Sequence, residues 1–284
     1  MPHSHYTASF GLQWQEFRKT QLDSYTRTTI SRDRLTRILG GNMAVVRGKK
    51  VLEVGCGAGR FTEVLLEAGA WVLAVDSSDA VKANRLNCGG HANYFVCQGD
   101  VTKMPLAGGR FDIVLCVGMI QHTPDPEATI GGLCSQLRPG GMLAIDHYTR
   151  GRSLRASRRV LRLLLTRMPP KAALWVCRGI CGLLWPLHDV LWRGRSHWRV
   201  NRLRQAFVRL SPVVDYHETY PQLSPELLRE WALLDTHDTL TDHYKHFRNT
   251  EEIELCLRKC GMQDVVTTYA GNGVEARARR PVGT

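Results

Sequence analysis

The sequence predicts an α/β fold, a mostly parallel seven-stranded sheet whose last strand runs antiparallel, joined by a helical insertion that forms a cap. Three observations carry that reading. From Lys50 onward, short apolar runs alternate with helical periods, the order that βαβ crossovers produce. The run Phe111-Asp-Ile-Val-Leu-Cys-Val117 is almost continuously apolar, as a strand covered on both faces is. The alternation stops near residue 150 and resumes near 249, and the stretch between has helical spacing and a charge of its own.

Residues 1–44 read as an N-terminal helical segment. Phe10, Trp14 and Phe17 lie about one helical turn apart, which predicts an amphipathic helix over 8–23. Ser31 and Asp33 open a second short helix that Gly40-Gly41 ends. These helices either pack on the sheet or lie across a ligand site. The core then runs over 45–149, with strands at 51–55, 71–75, 93–97, 111–117 and 142–147 and helices at 60–68, 78–87 and 126–137. Only the crossover before Phe111 lacks a helix. The core resumes over 249–284 with a helix at 250–260 and strands at 264–270 and 274–279, which Gly271-Asn-Gly273 joins as a hairpin.

The insertion, 150–248, holds the charge. Residues 150–210 contain fifteen Lys or Arg against one acid, Asp189, which more than accounts for the net +12 of the whole chain. Over 153–168, Leu154, Leu161, Leu165 and Met168 fall on one helical face and Arg155, Arg159 and Arg162 on another, until Pro169-Pro170 ends the helix. Residues 172–192 are nearly all apolar and include Trp175, Trp185 and Trp192. Only ten residues, one of them Pro186, separate Arg178 from Asp189, so a bilayer span of about 20 residues does not fit. The N-terminus has neither the basic nor the apolar region of a secretory signal, and a cytoplasmic location is expected. Nine cysteines without a C-x-x-C pair read as reduced thiols, and Cys177/Cys181 and Cys256/Cys260 read as buried helix faces rather than metal ligands.

The chemistry concentrates in Val51-Leu-Glu-Val-Gly-Cys-Gly-Ala-Gly-Arg60, where a strand breaks into three glycines and then a helix. A dinucleotide fingerprint would need glycine at 60, where Arg60 stands; the pattern is acid-x-G-x-G-x-G from Glu53 to Gly59. This resembles motif I of the class I S-adenosylmethionine-dependent methyltransferases, and the likeness covers about residues 45–149 and 249–280. A Rossmann-like fold with S-adenosylmethionine as cofactor and S-adenosylhomocysteine as product is what the resemblance implies. On the same grounds Glu53 helps hold the methionine ammonium, while Gly55, Cys56, Gly57 and Gly59 form the loop against the methionine part. Asp76, in Ala74-Val-Asp76, accepts the ribose hydroxyls, with Ser77 beside it, because one carboxylate offers two acceptors to two donors. Asp100 and Val101 in Gly99-Asp-Val-Thr-Lys-Met-Pro105 read the adenine. Leu137-Arg-Pro-Gly-Gly141 resembles the turn before the fifth strand. The plainer alternative for Asp76 and Ser77-Ser78 is a helix cap.

Gly118-Met-Ile-Gln-His122-Thr-Pro-Asp-Pro126 corresponds to the segment that faces the transferable methyl, with Gly118 at the cofactor. The Asn/Asp-Pro-Pro-aromatic tetrad of enzymes that methylate nucleic-acid amines is absent, so a small-molecule acceptor, methylated on oxygen or carbon by in-line displacement, is expected. A base is then needed, and His122, His147, His237 and Asp238 are the candidates. The last two lie in 234–248, which packs three histidines and three aspartates into what reads as loop. No metal is expected. The insertion is expected to cap the acceptor pocket with apolar faces inward and arginines solvated; its rival is peripheral contact of 150–210 with an anionic membrane, to reach a lipid-linked or glycan acceptor. A non-catalytic cofactor-binding protein and an RNA-binding one are the other classes, the second disfavoured because the arginines are interleaved with Leu and Trp.

Overall fold

A computed structural model describes residues 2–103, 108–149 and 156–283, with side chains from residue 7 onward. Met104 and Pro105 of the adenine motif, and Leu154 and Arg155 of the first insertion helix, lie outside the described residues. Helices α1 (Pro2–Glu16), α2 (Asp23–Thr26) and α3 (Ile30–Ile38) come first. They are followed by β1 (Lys50–Val54), α4 (Arg60–Glu67), β2 (Trp71–Asp76), α5 (Ala80–Cys88), β3 (Tyr94–Gln98), β4 (Phe111–Cys116), α6 (Pro126–Gln136) and β5 (Leu137–Tyr148). Helices α7 (Ala156–Leu165), α8 (Pro170–Arg193), α9 (Trp198–Leu210) and α10 (Pro225–Thr241) occupy the insertion, and α11 (Thr250–Lys259), β6 (Gln263–Ala270) and β7 (Gly273–Arg279) close the order.

The chain divides into two compact units, and the boundaries differ from those expected. Met1–Thr28 joins Leu154–His243 in a helical unit, while Thr29–Ser153 joins Tyr244–Thr284 in a sheet unit. The N-terminal segment therefore does not stay together: α3 belongs with the sheet, and α1 and α2 with the insertion helices.

In the sheet unit the seven strands lie in the order β3-β2-β1-β4-β5-β7-β6, with β7 antiparallel to both neighbours and the other described pairings parallel. Alternating side chains feed two cores. Val51, Ile113 and Ala144 face Leu35, Val64 and Leu65 of α3 and α4, whereas Leu52, Val114 and Leu143 face Ile130, Leu133 and Leu257 of α6 and α11. Each fully buried leucine contributes about 1.5–3 kcal/mol. Arg37 of α3 forks onto the Glu275 carboxylate of β7 at 2.9 and 2.6 Å, which fixes α3 over the sheet. Local capping agrees with the ends: Asp125 accepts the Ala128 N–H before Pro126, and Asn249 with Glu252 forms a capping box on α11. One strand begins earlier than expected. Leu137 already pairs with Phe111, and the register shifts before Met142 pairs with Ile113, so Arg138-Pro-Gly-Gly141 is an irregularity within β5 rather than a turn before it.

In the helical unit α10 is central. Leu240 packs with Leu165, Ala173 and Cys177, and Leu234 with Phe17 and Leu174. Two expectations are corrected here. Residues 234–241 are helix, not loop. The arginines are not all solvated: Arg162 is largely buried, donates to the Thr239 and Asp242 carbonyls at 2.7 Å each and pairs with the Asp242 carboxylate, and Arg204 is buried as well. A charge is tolerated there because partners surround it. Nor do all apolar side chains turn inward, since Val160, Leu163, Leu164 and Trp175 are exposed. A polar cluster, with His188 Nδ1 2.8 Å from Asp215 and Nε2 2.8 Å from Ser211, and His217 2.8 Å from the same Asp215, lies under Trp185. All nine cysteines are free, and burial pushes the Cys177 and Cys256 thiols up to about 12.

Candidate functional site

The strand order reverses direction of growth between β1 and β4, and in open α/β sheets ligands bind beyond the carboxyl ends at that switch point. β1 leads there into the glycine loop. The Gly55 and Cys56 N–H groups both donate to the Val75 carbonyl, at 2.8 and 3.1 Å, which folds the loop back over β2. Gly55 sits at φ +74°, and a Cβ there would lie 2.6 Å from Met119 Cβ, so glycine is required both for the turn and for the approach of the β4 loop. Gly59 at φ +102° would meet Cys88 Sγ at 2.9 Å as it starts α4.

Three acids follow one another along the adjacent ends of β1, β2 and β3. Glu53 is almost wholly buried and accepts the Thr62 hydroxyl at 2.6 Å. Burial raises its pKa to about 8, against the lowering effect of the Thr62 bond and with a smaller push from Asp76. Asp76 accepts the Gly57 N–H at 3.1 Å and the Ser78 N–H and hydroxyl at 2.9 and 2.6 Å, and burial raises its pKa too. Ser78 thus supplies the local cap contacts, and Ser77 is held through its carbonyl by Gln98 Nε2 at 3.1 Å. Asp100 accepts the Thr102 N–H and hydroxyl at 2.9 and 2.8 Å, beside buried Val101, and Gly99 N–H to Asp76 O at 2.9 Å ties the β2 and β3 ends together. Two desolvated carboxyls side by side, against a cradle of positive-φ glycines, suit a ligand that brings positive charge and hydroxyl donors. The residues present therefore fit S-adenosylmethionine, which Glu53 would hold by its ammonium, Asp76 by its ribose and Asp100 by its adenine.

Support for this loop comes from residues that motif reading passes over. Asn84 is fully buried; its amide donates to the Cys56 and Gly57 carbonyls at 3.3 and 3.4 Å and to Thr62 Oγ1 at 3.0 Å, and its Oδ1 accepts the Tyr94 hydroxyl at 2.7 Å. A chain of hydrogen bonds thus runs from Tyr94 through Asn84 and Thr62 to Glu53. The helical spacing that places Asn84 inward on α5 was visible; its polarity gave no sign of a structural role.

At the ends of β4 and β5 the character changes. Gly118, at φ +80°, faces open space and donates its N–H to Asp146 Oδ1 at 2.5 Å, while Asp146 also pairs with Arg34 of α3. His122 is buried in the short 3-10 turn Ile120–His122, with Nδ1 3.2 Å from the Tyr244 carbonyl and its ring edge-on to Tyr148 at 5.3 Å. His147 is buried at the end of β5. Its Nδ1 lies 2.9 Å from the Tyr148 carbonyl and its Nε2 has no partner. Desolvation lowers its pKa, with Arg248 and His246 adding to the lowering and the Tyr148 bond and Asp146 opposing it. Residues 244–248 run alongside: His246 N–H donates to Gln121 O at 2.9 Å and Arg248 N–H to Tyr148 O at 2.8 Å. Gln121 is fully buried with neither amide atom bonded, and His246 Nε2 is also without a partner. Gln121 and His246 were missed as site residues, since nothing in their spacing distinguishes them from neighbours.

His122 and His147 both belong to the sheet unit, one in the turn after β4 and the other near the end of β5. His237 and Asp238 belong to α10 of the helical unit. His237 is fully buried, its Nδ1 bonds Gln13 Oε1 at 2.8 Å, and burial lowers its pKa to about 4. Asp238 lies next to it as a charge facing Arg162. A groove of about 430 Å³ opens beside Lys49, Arg138 and Arg279 at the amino-terminal end of β4 and β5, away from the switch-point ends, and Asp112 already pairs there with Arg138. Among the described residues no group of three or more His, Cys, Asp or Glu is arranged to hold a metal.

The model of the methyltransferase domain family matches residues 52–145. The ubiquinone biosynthesis O-methyltransferase of Idiomarina loihiensis is 37% identical over 106 residues, 36% of this chain and 44% of that protein. The protein of the same name from Azotobacter vinelandii is 36% identical over 109 residues, 36% of this chain and 46% of that one. The chain thus spans less than half the length of these relatives. Among solved structures, an O-methyltransferase family protein from Burkholderia thailandensis aligns with a TM-score of 0.50 at 13% identity, covering 92% of this chain and 60% of that one, a likeness of fold. Residues 52–145 thus carry a methyltransferase domain, and the strand order with its antiparallel β7 and the acid-glycine loop are similar to those of the class I S-adenosylmethionine-dependent methyltransferases.

Proposed function

We propose that this chain transfers a methyl group to a hydroxyl of a small-molecule acceptor by in-line displacement. When bound, S-adenosylmethionine supplies a methyl group already activated on a sulfonium, so the chain's own residues have to align the acceptor, exclude water and remove one proton. His147 carries the reading. Its Nε2 is buried and unbonded, and a lowered pKa keeps the ring neutral at pH 7, so it is able to accept a proton from an acceptor hydroxyl. Gln121 offers one further donor and one acceptor, and His246 one more polar atom, to fix the acceptor's other oxygens. His122, held by Tyr244 and Tyr148, keeps the β4 loop in place and is the second candidate base. His237, whose Nε2 is also buried and unbonded, and Asp238 do not enter this reading, because both belong to α10 of the helical unit and not to the carboxyl ends of the sheet.

The likeness to O-methyltransferases named for ubiquinone biosynthesis favours phenolic acceptors as the first to test. The experiment is incubation with S-adenosylmethionine carrying a labelled methyl and a panel of phenols, catechols, aliphatic alcohols and amines. Label transfer to a hydroxyl acceptor, lost in His147→Ala with retained S-adenosylhomocysteine binding, is the expected result. Transfer to amines alone, or undiminished transfer by His147→Ala, overturns the assignment.

A further inference from the structure

The helical unit carries a surface that this chemistry leaves unused. α8 buries Leu174, Cys177, Cys181, Trp185 and His188, each three or four residues after the last. Its opposite stripe is also apolar: Trp175 is 75% exposed, Leu183 79% and Val190 63%, with Leu187 between them. At 1.5 Å per residue the stripe from Trp175 to Val190 is about 22 Å long. Single exposed apolar side chains are ordinary in soluble proteins, but Trp175 followed by Leu183, Leu187 and Val190 on one helix face marks a binding surface. α9 packs against α8 and also exposes apolar side chains, Trp198, Leu203 and Leu210, interspersed with exposed Arg199, Arg202 and Arg209. No acid occurs between Asp189 and Asp215.

We infer that α8 and α9 seat on the surface of an anionic lipid bilayer, the apolar stripe at the boundary of headgroups and acyl chains and the arginines on the phosphates. Charge complementarity selects this occupant. A row of Leu, Val and Trp gains by leaving water for the acyl boundary, and each Arg near an anionic leaflet adds to the attraction. A polynucleotide would neutralise the arginines but leave Leu183 and Leu187 in water. A second copy of the chain across a two-fold axis would set the arginines of α9 against their own equivalents. The helix lies on the surface and does not cross it, since no helix among the described residues is long and apolar enough to span a membrane.

The test is flotation of the full chain with vesicles of phosphatidylcholine alone or mixed with phosphatidylglycerol, at low and high salt. The chain is expected to rise with the anionic vesicles and to partition at least tenfold less into neutral ones or at high salt. Leu183→Glu with Val190→Glu, and separately Arg199→Glu with Arg202→Glu, each lower partition at least tenfold while S-adenosylhomocysteine affinity and the far-ultraviolet dichroism stay as in the unaltered chain. Brominated lipid in the anionic vesicles quenches the tryptophan fluorescence of the unaltered chain, a readout that requires no variant. No partition at low salt, or equal partition into neutral vesicles, overturns the inference. Light scattering that shows a dimer split by Leu183→Glu assigns the stripe to a second copy, and salt-sensitive binding of RNA that displaces the vesicles assigns the arginines to a polynucleotide. S-adenosylhomocysteine binding, measured in parallel, separates failure here from failure of the transfer reading.

Discussion

At the ends of β1, β2 and β3, Glu53, Asp76 and Asp100 each already accept hydrogen bonds from the chain, whereas at the ends of β4 and β5 Gln121, His147 and His246 hold buried polar atoms that bond to nothing. A buried polar atom without a partner costs about 1–3 kcal/mol, so the second region is held in a state that a ligand improves. The first is held in shape before any ligand arrives, by the Asn84 and Thr62 bonds. One end of the switch point is therefore preorganised, and under the proposed reaction the acceptor completes the other.

The largest expected effect falls at the incomplete end. If His147 takes the acceptor proton, His147→Ala lowers kcat by about 10²–10⁴ and leaves S-adenosylhomocysteine affinity within about twofold, as steady-state rates and calorimetry will show. A parallel loss of cofactor affinity would erase the distinction between the ends. Next comes Asp76→Ala. With two charge-assisted bonds to the ribose at about 1.5–3 kcal/mol each, cofactor binding weakens at least a hundredfold by calorimetry; unchanged affinity removes Asp76 from the site.

Glu53 gives a smaller but more diagnostic signal. Its pKa of about 8 in the folded chain exceeds the ordinary 4.5, so the folded state keeps a proton that the unfolded state loses between those values. The stabilising contribution is complete below about pH 4.5 and is lost as pH rises through about 8. A cationic ligand favours the ionised form, so binding near pH 7 is expected to release up to about one proton, seen as a dependence of the calorimetric enthalpy on buffer ionisation. Glu53→Gln should flatten both the stability slope and the proton release; a slope that persists would point to another group.

The smallest effect has opposite signs in two assays. Gln121→Met removes two unbonded polar atoms from a buried position, so urea unfolding is expected to show a gain of about 1 kcal/mol while turnover of the acceptor falls. A loss of stability would mean that the Gln121 amide is satisfied after all and that the region is not waiting for a ligand.

Most of the cofactor end was legible because it is written in backbone-scale rules: a strand period, glycines at fixed offsets, and acids closing successive strands. The acceptor end and the helical unit were not, and the reasons are particular. Residues 234–241 read as loop since His237 and Thr236, two buried positions of α10, are polar and hide the helical period that Trp231, Leu234 and Leu240 carry. Arg162 reads as solvated since its acid partner, Asp242, lies far along the chain. The early start of β5 escaped because Pro139 and two glycines signal a turn, whereas pairing with β4 absorbs them as an irregularity.

The place of β7 also bears on how the chain is made. It follows the six other strands of its sheet in the chain, yet it lies inside the sheet, between β5 and β6. Until it leaves the ribosome, β5 is an unpaired edge bearing Leu143 and Ile145, and β6 has no neighbour to bond. The helical unit, by contrast, has all its residues by His243. The growing chain is thus able to close its helical unit first and carries an open, adhesive edge until β7 is added, so substitutions in β7 expose the nascent chain to aggregation as well as weakening the finished sheet.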